Sequence, residues 1–272
     1  MAGYDDDLRF AHVLADAADD ITTKRFRALD LTVETKPDLT PVTDADRAVE
    51  EQVRHVLRRS RPRDAVLGEE LGKIGVGPRC WVVDPIDGTK NYVRGVPVWA
   101  TLIALMMGDE PVAGVVSAPA LGRRWWAAQE AGAWTGRSLA KATRCQVSGV
   151  SRLSDASFSY SSISGWEKTG GLQGFVSLTR SVWRTRAFGD FWSYMLTAEG
   201  AVDIAAEPVV SLWDLAAVQV IVEEAGGRFT DLSGVSRPDG GSAVATNGHL
   251  HDEVLGLLGG VSQVHKNPTA GE

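Results

Sequence analysis

Two aspartates, Asp84 and Asp87, follow directly on an apolar run in the segment 81–89, WVVDPIDGT. Carboxylates at the end of a buried strand are costly without a partner. Hard cations such as Mg²⁺ take oxygen ligands, and this strand end offers both carboxylates and the carbonyl of Ile86. The same spacing also fits a β-turn in which the two carboxylates accept backbone N–H groups. The pair alone leaves both interpretations open.

Three further acids stand at predicted element ends. Glu69 follows a short apolar run, Asp46 lies early in a predicted helix, and Asp214 opens another. Each position also has a purely structural interpretation. Asp46 and Asp214 both stand three residues after a hydroxyl residue, which is the spacing of a capping box, and the neighbouring Glu70 is expected to be solvated. Taken singly, none of these acids establishes a site.

The elements that must position these acids follow from hydrophobic spacing. Apolar residues at helical intervals predict a helix over 5–28, and Thr43 is expected to cap a second one. β-rich runs predict strands at 29–33, 80–83, 98–107, 112–117 and 124–128. Because adjacent strand residues face opposite sides, one of Trp125 and Trp126 is expected in the core and the other at a subunit interface.

After about residue 145, strands and helices alternate, which is typical of an α/β unit. The alternating segments are 157–161, 171–179, 182–186, 191–198 and 202–205, followed by a helix at 213–225 and strands at 228–230 and 243–246. We therefore predict an N-terminal α+β half, 1–145, and a C-terminal α/β half, 146–262, packed as one body. The tail 263–272 is expected to be disordered.

Composition excludes several classes of function. The net charge of -7 and the lack of a Lys/Arg stripe argue against nucleic-acid binding. Two cysteines outside any metal spacing favour a reducing compartment, and the acidic N-terminus is unlike a signal peptide, so we expect a cytoplasmic protein. The longest apolar stretch, 96–107, contains Pro97 and falls short of the about 20 residues of a membrane span.

Taken in order, four segments resemble the inositol monophosphatase superfamily. They are DRAVE at 46–50, GEE at 68–70, DPIDGT at 84–89, and WDLAA at 213–217 with EAGG at 224–227. The resemblance spans nearly the whole chain. It implies a layered αβαβα sandwich with a metal site between the two halves.

The resemblance also implies a role for each acid in a phosphate-monoester hydrolase. The implied ligands of two or three Mg²⁺ ions, with Mn²⁺ or Zn²⁺ as alternatives, are Glu69, Asp84, the Ile86 carbonyl, Asp87 and Asp214. Thr89 paired with Asp46 would orient the attacking water, and Glu69 could also accept a proton, so that no phosphoenzyme forms. The N–H groups of Gly88 and Thr89 would hold the phosphate.

Other phosphatase chemistries do not fit the spacing. The phosphoaspartate class uses a DxD motif, whereas Pro85 and Ile86 separate the acids here. Enzymes built on clustered histidines are excluded because the five histidines are scattered or terminal.

Substrate specificity must come from residues that face the alcohol half. The run GVPVWATLIAL at 95–105 and GDFWSY at 189–194 are similar to the histidinol-phosphatase branch of the superfamily. Histidinol phosphate carries an ammonium and an imidazole, so acids near the pocket favour it over inositol phosphate. An inositol-1-phosphatase or a broad sugar-phosphate phosphatase is the alternative.

Asp190 and Glu207 are the candidates for selecting the substrate, and the implied binding set also includes Asn91 and Arg186 together with Gly88 and Thr89. Asp190 could instead form an i,i+4 salt bridge with Arg186, and Arg186 could complete a dimer contact. A homodimer is expected from the resemblance.

Overall fold

Eight α-helices and fifteen β-strands occupy the residues that the computed structural model describes, 3–37 and 39–259. The helices are α1 (Asp5–Arg25), α2 (Asp44–Ser60), α3 (Thr89–Val93), α4 (Ile163–Lys168), α5 (Leu172–Ser181), α6 (Asp190–Ala198), α7 (Leu212–Glu224) and α8 (His251–Gly259). The strands are β1 (Val33–Thr35), β2 (Pro41–Thr43), β3 (Ala65–Gly68), β4 (Gly72–Ile74), β5 (Arg79–Asp87), β6 (Ala100–Met107), β7 (Glu110–Ala118), β8 (Arg123–Ala128), β9 (Gly132–Gly136), β10 (Ala142–Arg144), β11 (Ser157–Ser159), β12 (Arg184–Arg186), β13 (Ile204–Glu207), β14 (Arg228–Thr230) and β15 (Ala243–Thr246). The predicted tail 263–272 lies outside the described residues.

The larger sheet has eight strands in the order β10-β9-β8-β7-β6-β5-β3-β4. Its pairs are antiparallel except β3 with β5, which run parallel, so the ends of β3 and β5 lie side by side. One face buries apolar side chains against α1 and α2, and the opposite face packs against α6 and α7. Because successive side chains of a strand point to opposite faces, each strand contributes apolar residues to both faces of the sheet.

The smaller sheet has five strands in the order β12-β11-β13-β15-β14. Ala205 and Ala245 face α6 and α7, whereas Ile204 and Val244 face a cluster that includes residues of α5 and α8. The layers therefore run α1/α2, large sheet, α6/α7, small sheet, α5/α8. This arrangement confirms the predicted αβαβα sandwich, with α6 and α7 as the shared middle layer that brings residues of both sheets to one place.

The expectation that one tryptophan of the Trp125-Trp126 pair lies at a subunit interface is wrong. Trp125 packs in the cluster around α7, and Trp126 packs in the cluster around α1. Because the large sheet is covered by helices on both faces, the two side chains are only 0% and 2% exposed. Both faces of β8 are core.

The prediction for residues 26–33 also needs correction. Helix α1 ends at Arg25, and the extended segment begins only at Val33. Arg27 adopts a left-handed φ of 60°, which ends the helix and turns the chain. The guanidinium of Arg25 also forms ion pairs with Asp30 (2.8 Å) and Asp44 (2.5 Å) across this turn. A turn therefore occupies residues where alternation of apolar and polar residues predicts a strand.

Candidate metal centre and active site

The strand predicted at 80–83 is longer in the structure, because β5 continues to Asp87 and holds both aspartates in its last four residues. Pairing with β6 shifts register between Asp84 and Asp87, so the strand bulges where the motif begins. Asp84 is 2% exposed, and its Oδ1 accepts the N–H of Ile86 at 3.0 Å. Gly88 then takes a left-handed φ of 81° as the residue before α3, a conformation that glycine adopts without steric cost.

Asp214 completes an acidic cluster from the other half of the chain. It lies in the first turn of α7, where its Oδ2 accepts the N–H of Ser211 at 2.7 Å in the predicted capping box. One carboxylate oxygen each of Asp84, Asp87 and Asp214 lies within 4.8 Å of the others. Among the described residues, this cluster could hold a metal ion.

The electrostatics of the cluster favour a bound cation. Burial, followed by the charges of neighbouring acids, raises the pKa of Asp84 and of Asp87 well above the usual range. Burial also raises the pKa of Asp214 to about 7. One buried carboxylate and two half-buried ones this close repel one another when ionised, and a divalent cation removes that repulsion. Carboxylate and carbonyl oxygens suit Mg²⁺ or Mn²⁺ better than softer metals.

Glu69 borders the same cavity from the end of β3. The parallel pairing of β3 with β5 puts Gly68 opposite Val83, and the Glu69 N–H donates to the Val83 carbonyl at 3.2 Å. The ammonium of Lys36 bridges Glu69 (2.7 Å) and Glu70 (2.5 Å). The expectation that Glu70 is solvated is therefore wrong, since its side chain is only 6% exposed.

Thr89 and Asp46 are not hydrogen-bonded to each other. The Thr89 hydroxyl lines the cavity and donates to the Ile86 carbonyl at 2.9 Å. Asp46 forms the predicted capping box of α2, and its Oδ2 accepts from the N–H (2.8 Å) and hydroxyl (2.6 Å) of Thr43. Its Oδ1 is buried and has no partner in the described part of the chain. Burial raises the pKa of Asp46 to about 7.

A cavity of about 700 Å³ joins the acidic cluster to a second pair of acids, Asp190 and Glu207. Ser161 connects the pair, because its hydroxyl donates to Glu207 and accepts the Asp190 N–H at 2.8 Å. The Tyr194 hydroxyl donates to Glu207 at 3.0 Å, and the Asn91 amide donates to Asp190 at 3.3 Å. The cavity wall also includes apolar and aromatic side chains, namely Phe188, Val209, Val210 and Trp213.

The second acidic pair is also electrostatically strained. Burial, then the charge of Asp190, raises the pKa of Glu207 well above its usual range, and burial raises the pKa of Asp190. Asp190 additionally holds a left-handed φ of 49°, which is uncommon outside glycine. The next N–H, that of Phe191, donates to Asp87 at 2.6 Å. The start of α6 therefore links the second acidic pair directly to the first cluster.

Arg186 stands apart from this cavity. It is exposed at the end of β12, and its guanidinium donates to the Thr185 carbonyl at 2.7 Å. No ion pair joins it to Asp190 within 3–37 and 39–259. The i,i+4 alternative fails because α6 begins only at Asp190, so the two residues do not share a helix. Arg186 is not among the residues that line the cavity.

Sequence reasoning assigned no role to Lys36, Ser161 and Tyr194. Lys36 follows β1 in a short hairpin and carried no motif. Tyr194 lies in the segment 189–194 that resembles the histidinol-phosphatase branch. Only the structure shows that its side chain is buried and that its hydroxyl donates to Glu207.

Comparison with known proteins decides the family. A family model described as "Inositol monophosphatase family" matches residues 4–263. The chain belongs to the inositol monophosphatase family. Its relatives include a histidinol-phosphatase of Streptomyces coelicolor, 67% identical over 95% of this chain and 98% of the relative. A histidinol-phosphatase of Mycobacterium tuberculosis is 63% identical over 93% of this chain and 98% of the relative.

Solved structures of the inositol monophosphatase family share this fold. An inositol monophosphatase from Zymomonas mobilis superposes with a TM-score of 0.84 at 32% identity, over 95% of this chain and 100% of that one. The predicted family is confirmed by these matches. In the described residues, no helix is long and apolar enough to cross a membrane.

Proposed function

We propose that this chain is a Mg²⁺-dependent phosphatase that hydrolyses histidinol phosphate to histidinol and phosphate. One observation carries the proposal. A single cavity is lined both by the acidic cluster of Asp84, Asp87 and Asp214 and by the acidic pair Asp190 and Glu207. The full-length similarity to two histidinol-phosphatases supports the same substrate. Inositol 1-phosphate and sugar phosphates, which lack a positive charge, fit the second acidic pair less well.

The metal ligands in this proposal are Glu69, Asp84, Asp87, Asp214 and the Ile86 carbonyl. Bound Mg²⁺ would lower the pKa of a water molecule and offset the charge of the phosphoryl oxygens. Two or three ions are proposed, with Mg²⁺ favoured by the all-oxygen ligand set and Mn²⁺ or Zn²⁺ as substitutes. Lys36 would have to release Glu69, because its ammonium now holds that carboxylate.

The protein's own groups would then handle the water and the phosphate. Thr89 would orient the water, and the unpartnered Oδ1 of Asp46 is the acceptor proposed for its hydroxyl. The water oxygen would attack phosphorus and give up a proton to Glu69. The P–O ester bond would break, the departing alcohol oxygen would take up a proton from solvent water, and Glu69 would return its proton to solvent. The N–H groups of Gly88 and Thr89 would donate to the phosphate.

The alcohol half would lie between the second acidic pair and the aromatic wall. Asp190 and Glu207 are proposed to meet the ammonium and the imidazolium, with Asn91 positioning Asp190. Phe188 and Trp213 offer flat apolar surface for an imidazole ring. Since Arg186 does not line the cavity, a contact across the expected homodimer is the role we propose for it.

A cytoplasmic location is part of the same proposal. Among the described residues Cys80 and Cys145 are free thiols, and Cys145 is buried. Free thiols of this kind fit a reducing compartment.

Replacing Asp190 with Asn tests the substrate assignment. Asparagine tolerates a left-handed φ, so the start of α6 should survive while one charge is lost. Loss of an ion pair with the substrate corresponds to roughly 2–5 kcal/mol, so kcat/KM for histidinol phosphate should fall by about 30-fold or more. Hydrolysis of glycerol phosphate should hold steady or rise.

The matched control is Asp252→Asn, which removes an exposed aspartate of the same half and should change neither activity. Equal loss on both substrates in Asp190→Asn would show that Asp190 maintains the structure and does not select the substrate. Steady-state kinetics on the two phosphates decide between these outcomes.

A further inference from the structure

The loop 69–72 carries Glu69 and leads from β3 into the first residue of β4. It is attached to α2 through one carboxylate. Glu50 accepts the N–H of Glu70 at 2.7 Å on Oε2 and the N–H of Leu71 at 3.1 Å on Oε1. On the other side of Glu69, its own N–H is bonded to the Val83 carbonyl of β5. Three consecutive amides of the loop are therefore held by groups outside it.

A buried arginine completes this attachment. Arg54 lies one turn after Glu50 on α2, and its Nε (2.9 Å) and Nη2 (2.6 Å) both donate to Glu50 Oε1. Nη2 also donates to the Gly72 carbonyl at the far end of the loop. Glu50 is 0% exposed and Arg54 is 4% exposed. The pair thus binds both loop N–H groups and a loop carbonyl.

The absence of a side chain at Gly68 provides the space that the Glu50 carboxylate occupies. A Cβ placed on Gly68 would overlap the carboxyl group of Glu50, so any other residue at this position would push that side chain away. Buried ion pairs seldom add stability relative to well-packed apolar residues. Apart from the hydrogen bonds between Glu50 and Arg54, the side-chain hydrogen bonds of this pair go to the loop 69–72. This pattern indicates that the pair positions the loop.

We propose that Glu50 and Arg54 are positioning residues that hold the loop 69–72 so that Glu69 can bind metal beside Asp84. The proposal rests on the metal-dependent function proposed above. Outer groups that orient metal ligands typically contribute 10–100-fold to metal affinity. The same factor is expected here, because a loosened loop lowers the fraction of time in which the Glu69 carboxylate can reach the cluster.

The test compares Glu50→Gln with Glu51→Gln. Glu51 is the next residue of α2, is exposed, and carries the same charge, so its replacement is a matched control. Two quantities are measured on the full chain. They are hydrogen exchange of the Glu70 and Leu71 amides in metal-free protein, and Mn²⁺ binding followed by electron paramagnetic resonance.

In Glu50→Gln both amides should exchange at least about tenfold faster, and the Mn²⁺ dissociation constant should rise about 10–100-fold. Glu51→Gln should match the wild type in both. Unchanged Mn²⁺ affinity in a folded Glu50→Gln variant would overturn the proposal, as would amides that stay protected.

A second variant covers the case in which Glu50→Gln fails to fold because Arg54 is left as an unpaired buried charge. Glu50→Gln/Arg54→Met removes both charges and should show the same fast exchange and weak binding. Wild-type Mn²⁺ affinity in this double variant would overturn the proposal. If wild-type protein itself binds no Mn²⁺, the proposed function fails, whereas the amide exchange still decides whether Glu50 holds the loop.

Discussion

Asp87→Asn is expected to abolish turnover of histidinol phosphate and leave the fold intact. The change removes a ligand charge from the cluster of Asp84, Asp87 and Asp214 without changing side-chain volume. The N–H of Phe191 keeps an oxygen acceptor, because asparagine retains one of the two oxygens. Charge stabilisation by a bound metal amounts to several kcal/mol, so the loss in kcat should exceed about 10³-fold.

Stability separates this explanation from a structural one. Burial and neighbouring acids raise the pKa of Asp87 in the metal-free protein, so ionising it at neutral pH opposes folding. The melting temperature of metal-free Asp87→Asn should therefore equal or exceed that of the wild type. Asp20→Asn, which changes an exposed aspartate of α1, is the control and should alter neither quantity. Wild-type activity in Asp87→Asn would refute the metal assignment.

Thr89→Ala should lower kcat by about 10²–10⁴, the contribution expected of the proton transfer for which Thr89 orients the water. Among the described residues, the Thr89 hydroxyl forms a hydrogen bond only to the Ile86 carbonyl. Loss of the hydroxyl therefore leaves that carbonyl oxygen as the one group without its former partner. Mn²⁺ binding should change little, because the proposed carboxylate ligands remain.

Thr89→Ser is the matched variant for this test, since it keeps the hydroxyl and loses only a methyl group. It should retain most of the activity, with kcat and KM measured separately on histidinol phosphate. A change confined to KM in Thr89→Ala would make Thr89 a binding residue and would contradict its proposed role in orienting the water.

Much of the site could be predicted because its residues lie at element ends. Asp46 and Asp214 each had two interpretations, a helix cap and an acid facing the active site. The structure shows both capping boxes, and at Asp214 it also shows the acidic cluster. A carboxylate has two oxygens, and in both residues the cap uses Oδ2. A local structural role therefore does not exclude a chemical one.

Contacts between distant residues were beyond the reach of the sequence. Lys36 and Glu69 are 33 residues apart, and no spacing rule relates them, so the sequence does not predict that Lys36 also pairs with Glu70. The supposed Arg186–Asp190 pair assumed one continuous helix, whereas left-handed backbone at Gly189 and Asp190 starts α6 later. Burial of both faces of β8 likewise depends on the helices that cover the large sheet.

The buried pair Glu50 and Arg54 likewise depends on contacts that the sequence does not predict. Glu50 belonged to the quoted segment 46–50, but only the folded chain shows that its carboxylate reaches the N–H groups of Glu70 and Leu71. Spacing of four residues predicts an ion pair between Glu50 and Arg54. It does not predict what that pair holds.

The most direct test of the proposed function is the ratio of kcat/KM for histidinol phosphate to that for inositol 1-phosphate, measured on the wild-type protein with saturating Mg²⁺. The acidic pair Asp190 and Glu207 predicts a preference for histidinol phosphate of about 30-fold or more, the factor expected from roughly 2 kcal/mol of charge pairing. Equal or greater kcat/KM on inositol 1-phosphate would contradict the proposed substrate, and the broad-specificity phosphatase would take its place.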